Sequence, residues 1–178
     1  MHDNMKELRA AHHEIDEQKG IWKRYRRKEI LGMRKIDYMQ AVEKNTWFHL
    51  GRNSCEEILY CLRRIADPCE EHVDNNFVPL SKEQVKEYIP LRDTVLFLLR
   101  RTGKILQTDS YGEVDDVRRE AEELKDCLEK AREAQMQRMQ SSKENIAVAY
   151  LYLNLLQETR ELTSSLRHLL RASKGFRE

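Results

Sequence analysis

Asp67, Glu71 and Asp74 stand at i, i+4 and i+7, so on a helix their three carboxylates share one face. Hard cations are held by such oxygen clusters, although most sites draw more ligands and from more than one segment. The plainer reading of the triplet is a solvated acidic stripe that pairs with arginines. His72 is adjacent in sequence but points about 100° away from Glu71. Nearer the start, His12 and Asp16 are spaced i, i+4, as are His13 and Glu17. That spacing can chelate a metal, and a polar helix end produces it as well. Cys61 and Cys69 lie among arginines, which lower a thiol's pKa, yet both fall on an apolar stripe where a cysteine packs rather than reacts. The chain has no G-x-S-x-G, no P-loop, no G-x-G-x-x-G and no H-E-x-x-H. Cysteines 55, 61, 69 and 127 show no C-x-x-C spacing. These residues predict no enzyme, no cofactor and no metal centre, with Asp67, Glu71 and Asp74 the nearest candidates for a cation.

A different chemistry is offered by Lys23-Arg24-Tyr25-Arg26-Arg27-Lys28, followed by Arg34-Lys35. Five of the first six residues are cationic. An anionic-lipid surface and a nucleic-acid backbone both suit such a run, and so does a solvated face balanced by acidic neighbours. Trp47, Phe48 and His49 are either an exposed partner site or the corner where a helix docks.

The elements that must position these residues are helices. With 6 Gly and 3 Pro in 178 residues and 35% of residues charged, few turns can be built and a sheet is disfavoured. The net charge of +1 gives no global attraction to nucleic acid or membrane, so any such preference is local. The polar start, MHDNMKELRAAHHEIDEQ, lacks signal-peptide character, and no run of 18 apolar residues occurs. The cysteines therefore read as reduced packing residues of a cytosolic chain.

Apolar periodicity predicts a helix over 3–42, as one piece or two collinear ones, with a turn and cap at 43–46. The central helix follows over 47–77, with Ile58, Leu62, Ile65, Cys69, His72 or Val73 and Phe77 on one face. Ser81-x-x-Gln84 has the form of a capping box before a helix over 82–106, with Val85, Ile89, Leu96, Leu99 and Ile105 or Leu106 inward. Ser110-x-x-Glu113 offers a second box. The next helix, 113–140, carries the seam Val117, Ala121, Leu124, Leu128, Ala131 and Gln135. The last, 143–174, turns Ile146, Ala149 or Tyr150, Leu153, Leu156, Thr163, Leu166 and Leu169 or Leu170 inward, with Gly175 as its stop. Short connections make neighbours antiparallel, so the expectation is one domain over 1–178: an all-α, up-and-down bundle of about five long helices. A shift of 97 residues lays Ile58 on Leu155, Ile65 on Leu162, Cys69 on Leu166 and Val73 on Leu170, a weak internal repeat.

Leu62-Arg63-Arg64-Ile65-Ala66-Asp67-Pro68-Cys69 resembles the L-E-R-I-G-D-H segment found once in each three-helix repeat of PhoU, the phosphate-uptake regulator. Through KNTWFHLGRNSCEEILYCLRRIADPCEEHVDNNFVPL and YLNLLQETRELTSSLRHLLRASK, the likeness covers nearly the whole chain. It is stronger to the cytoplasmic C-terminal PhoU-like domain of bacterial sodium/phosphate cotransporters of the Bacteroides type. The resemblance implies a bundle of three-helix repeats and a non-catalytic regulatory role in phosphate uptake. It implies a transmembrane transporter segment of the same polypeptide as partner, so the chain would be a fragment lying at the cytoplasmic face of the inner membrane. Lys23, Arg24, Arg26, Arg27 and Lys28 would then meet anionic lipid of the inner leaflet. PhoU proteins bind metal clusters through E-x-x-x-D pairs, but the matching positions here are Arg63 and Asp67, then Arg160 and Ser164. An arginine repels a cation, so the metal role is not carried over. Arg63, Arg64 and Arg160 become a candidate anion site if they converge. Two repeats need six helices and about five are expected; the first helix of the first repeat is missing, and an unfilled groove favours a homodimer or docking on the absent segment. Two other readings stay open: a stand-alone cytosolic PhoU-type regulator, and a nucleic-acid-binding helical protein using 23–35.

Overall fold

The computed structural model describes the backbone of residues 2–33, 38–141 and 144–177, and the side chains of 5–26, 44–140 and 144–177. Five helices account for most of it: α1 (His2–Met33), α2 (Tyr38–Asp74), α3 (Lys82–Thr108), α4 (Val114–Ser141) and α5 (Ile146–Arg177). No strand occurs among the described residues. At about 1.5 Å per residue α2 is roughly 55 Å long, and a rod of that length needs partners along its whole apolar stripe.

Ion pairs and close packing give the directions. Arg9 faces Glu70, Asp16 faces Arg63 and Arg26 faces Glu56, so α1 and α2 are antiparallel. Glu87 with Arg138 and Arg101 with Glu120 set α3 against α4. Asp115 with Lys174, Glu122 with Arg167 and Glu129 with Arg160 set α4 against α5. Gly51 lies against Ala172 and Arg64 reaches Glu158, which makes α2 and α5 antiparallel as well. Hence α1, α3 and α5 run one way and α2 and α4 the other, the expected up-and-down arrangement. α5 is the hub, with α2, α3 and α4 around it, while α1 packs on α2. The core joins Leu98 and Ile105 of α3, Val117, Leu124 and Leu128 of α4, and Tyr152, Leu156, Leu166 and Leu170 of α5 to Cys61 of α2.

The chain departs from the sequence expectation in local ways. Residues 43–46 are not a turn; they lie inside α2. They hold neither Gly nor Pro, and an ordinary polar residue costs a helix at most about 0.7 kcal/mol. Residues 3–42 are accordingly not collinear, since α2 folds back along α1. On α3 the buried stripe is Gln84, Val95, Leu98, Thr102 and Ile105, flanked by Tyr88 and Leu91. Val85, Ile89 and Leu96, expected inward, are exposed. The helix carries two apolar stripes, and the buried one is the one interrupted by polar residues. α2 ends at Asp74, before the expected 77: Phe77 lies in the α2–α3 loop, exposed and edge-on against His72, whose Nε2 is 2.8 Å from Val78 O. On α5, Ile146 and Tyr150 are exposed and Ala149 is buried.

The Ser81–Gln84 capping box forms in both directions, 3.1 and 2.9 Å. The Ser110–Glu113 box does not: Ser110 makes no capping bond, and Glu113 pairs with Arg101. Nor is Gly175 a stop. It lies inside α5, where a Cβ would sit 2.6 Å from the Trp47 ring, so the glycine admits the indole rather than ending the helix. Among the described residues no helix is long and apolar enough to cross a membrane.

Candidate functional site: arginine clusters on α2 and a polar network under α3

Arg63 and Arg64 are neighbours on α2 and turn to different helices. Arg63 donates to Asp67 at 3.2 Å, one helical turn on, and is also bonded to Asp16 of α1. Arg64 donates from Nε to Glu158 of α5 at 2.7 Å, and from Nη2 to Glu57 at 2.7 Å. The bonds to Glu57 and Glu158 hold its guanidinium above its ordinary pKa, against the opposing pull of burial. Arg160 reaches toward α4, with Nε 3.9 Å from Glu129. The three arginines therefore do not converge on a shared space. Arg63 and Arg64 already donate to carboxylates, so an anion there would have to displace Asp67 or Glu158, whereas Arg160 Nε makes no hydrogen bond to Glu129.

Nor are Asp67, Glu71 and Asp74 brought together. Asp67 is drawn toward α1, where His12 Nε2 lies 3.4 Å away, while Asp74 and Glu71 are exposed at the end of α2. Among the described residues no group of three or more His, Cys, Asp or Glu is placed to hold a metal. His12 does not close on Asp16. It crosses to α2 between Asp67 and Glu70, the latter 3.3 Å away, because the α1 face that carries it is the one packed on α2.

Cys61 is fully buried beside Arg64, whose Nη2 is 3.4 Å from its sulfur. Burial pushes its thiol up to about 12; Arg64 pulls the other way and loses. Burial raises Cys55 and Cys69 too. Thiols in this state are protonated at neutral pH and do not attack.

Trp47 and Phe48 form a docking corner. The indole lies over Gly175 with the Arg171 guanidinium 5.8 Å from its centroid, and Phe48 meets Phe176 at 6.3 Å. With Trp22 and Gly51 they border a cleft of about 260 Å³. Of the basic run, Lys23, Arg24, Tyr25 and Arg26 are exposed on α1, and Arg26 is 3.9 Å from Glu56. Arg27 and Lys28 lie on α1 with side chains outside the described set, and Arg34 and Lys35 lie outside the described residues.

The most connected polar cluster is one that motif reasoning misses. Gln84 of α3 and Gln135 of α4 are both fully buried and share a 3.2 Å bond. Their amides donate to the two oxygens of Glu144, at 2.9 and 2.7 Å. Gln135 Oε1 accepts from Arg138, and Arg138 makes a two-pronged pair with Glu87 at 2.8 and 2.9 Å. Tyr152 of α5 donates to Glu87 at 3.0 Å. The Arg138 bonds hold Glu87 below the usual carboxylate range despite partial burial, and burial next to Glu87 raises Tyr152. The cluster ties three helices and the α4–α5 connection at one end of the bundle. Its signal was present in the sequence: glutamines at core positions of two neighbouring helices must find each other, since a buried amide needs a partner.

No family description, curated protein or solved structure matches this chain. Among the described residues the geometry defines an all-α, five-helix up-and-down bundle in which the buried Gln84, Gln135 and Glu158 bond to side chains of other elements.

Proposed function

We propose that the chain is a non-catalytic regulatory domain of PhoU-like kind, acting in phosphate uptake as the cytoplasmic part of a sodium-dependent phosphate transporter. One observation carries this reading. The two segments on which the resemblance rests, around 62–69 and 152–174, lie on α2 and α5. These helices make the most extensive contact in the molecule, and Arg64 and Glu158 tie them. Related repeats that cannot bury their apolar faces alone bury them against each other in this way. The chemistry is compatible with the same reading: the buried Cys61 thiol is protonated, and Arg63 and Arg64 are engaged by carboxylates. The partner is then the transmembrane segment of the same polypeptide.

The test is deletion of these residues from the full reading frame in the native cell, followed by uptake of labelled phosphate with and without sodium, in phosphate-poor and phosphate-rich medium. Sodium-driven uptake whose response to external phosphate has changed supports the proposal. Uptake with an unaltered response refutes it, as does a reading frame with no sodium-coupled transporter in it.

A further inference from the structure

The solvent face of α3 carries a pattern that neither the core nor the ion-pair clusters absorb. Val85, Ile89, Leu96 and Phe97 are 39%, 41%, 42% and 52% exposed. Lys82, Lys86, Arg92, Arg100 and Lys104 are exposed on the same side of the helix. At 100° per residue all nine fall within an arc of roughly 140°, with Lys82, Lys86, Arg100 and Lys104 between the aliphatic residues and Phe97, and Arg92 at the outer aliphatic edge. From Lys82 to Lys104 the face is roughly 33 Å long. Lys82, Lys86, Arg100 and Lys104 pair with no carboxylate among the described residues. Asp93 falls inside the same arc, where Arg92 holds it at 2.7 Å; beside the arc, Glu113 pairs with Arg101 at 3.3 Å and Glu83 with Arg138 at 3.9 Å. Arg101 also lies 5.5 Å from the Phe97 ring centroid, itself anchored on Glu120.

We propose that this face of α3 is a docking surface for a bilayer bearing anionic headgroups, with α3 lying in the plane of the interface. Lysine and arginine stems lie along apolar surface while their charges stay at headgroup level, and aliphatic and aromatic side chains between them enter the acyl boundary. Charge complementarity selects this occupant over two others. A second copy of the chain laid antiparallel on the face would set Lys82 near Lys104 and Lys86 near Arg100, cation on cation. A nucleic-acid backbone would take the cations but give Val85, Ile89 and Leu96 nothing apolar to rest on. The inference stands on this surface alone and does not depend on the phosphate-transport reading.

The experiment is co-sedimentation of the 178-residue chain with vesicles of pure phosphatidylcholine and with vesicles containing about a third phosphatidylserine. Binding to the anionic vesicles that weakens with added salt is expected. Removing two cations in K86Q/R100Q lowers the partition coefficient roughly twenty- to thirtyfold, at about fivefold for each. L96S/F97S lowers it as well. These positions are exposed, and circular dichroism confirms that each variant folds. The proposal is overturned if the chain ignores anionic vesicles. It is overturned if K23Q/R24Q rather than K86Q/R100Q abolishes binding, or if L96S/F97S binds as well as the parent chain. Self-association that L96S/F97S dissolves, or duplex-DNA binding that K86Q/R100Q removes and L96S/F97S does not, would instead assign the face to a second copy or to nucleic acid.

Discussion

Gln135→Leu tests the buried network most directly. Leucine matches glutamine in helix propensity and nearly in volume, so the substitution isolates hydrogen bonding. It removes four bonds: one from Gln84, one to Glu144 and two from Arg138. Three of the four involve a charged group, and such bonds contribute about 1.5–3 kcal/mol each when broken singly. The losses do not add. Arg138 keeps both bonds to Glu87, and Gln84 keeps its 2.9 Å bond to Glu144. A net destabilisation of about 2–4 kcal/mol is expected, which for a chain of this size lowers Tm by about 6–12 °C. Gln84→Leu alone is expected to cost about 1–3 kcal/mol, because it also removes half of the α3 capping box. The double variant replaces both amides by apolar groups, so it should cost about 1–2 kcal/mol less than the sum of the singles. Urea unfolding followed by circular dichroism gives the three values, provided that the m-value stays constant. Strict additivity, or a Gln135→Leu effect below about 0.5 kcal/mol, would mean that the two amides are not coupled and that the reasoning is wrong.

Two further perturbations probe other links. Gly175→Ala gains up to about 1 kcal/mol of helix propensity, but its Cβ would meet the Trp47 ring at 2.6 Å; overpacking costs about 1–3 kcal/mol, so the variant is expected to be less stable with shifted tryptophan fluorescence, and Trp47→Leu in the same chain should relieve the clash. Glu87 has its pKa depressed, chiefly by its bonds to Arg138; its contribution is therefore present above the unfolded carboxylate value and lost as pH falls through the lower folded value. Urea midpoints taken downward from pH 6 should show a fall below about pH 4.3 that Glu87→Gln reduces, and an unchanged slope in that variant would contradict the assignment.

How much of this was legible in the sequence differs from helix to helix. α4 was the most readable, because it has a single apolar seam: Val117, Ala121, Leu124, Leu128 and Gln135 lie on it and are buried, while Ala131 is half-buried and Val114 joins them unpredicted. α3 was misread because it has two apolar stripes. Periodicity chose the one without polar residues, whereas the core took the one with Gln84 and Thr102. Periodicity measures where apolar side chains recur; it does not see that a buried glutamine is cheap once another glutamine and Glu144 satisfy it. The bend between α1 and α2 was placed too late because Asn45-Thr46 looks like a cap in isolation, while nothing there breaks a helix. At the candidate site, the i, i+4 pairing of Arg63 with Asp67 was visible. The partners Asp16, Glu158 and Glu129 were not, since they come from other helices. Spacing within one helix fixes which side chains share a face but says nothing about what that face meets.

The fold distributes its stability unevenly, and this follows from how each helix is held. α5 has neighbours on several sides and most of its turns are buried. α1 rests on α2, and its polar rungs are Arg9–Glu70, His12 between Asp67 and Glu70, Asp16–Arg63 and Arg26–Glu56. All but the histidine are substantially exposed on at least one side, and exposed pairs contribute about 0–1 kcal/mol each. The apolar part of that interface, Leu8, Ile15 and Trp22, is only half-buried. Free energy of opening scales with buried apolar contact, so α1 opens more readily than the α2–α5 core it leans on.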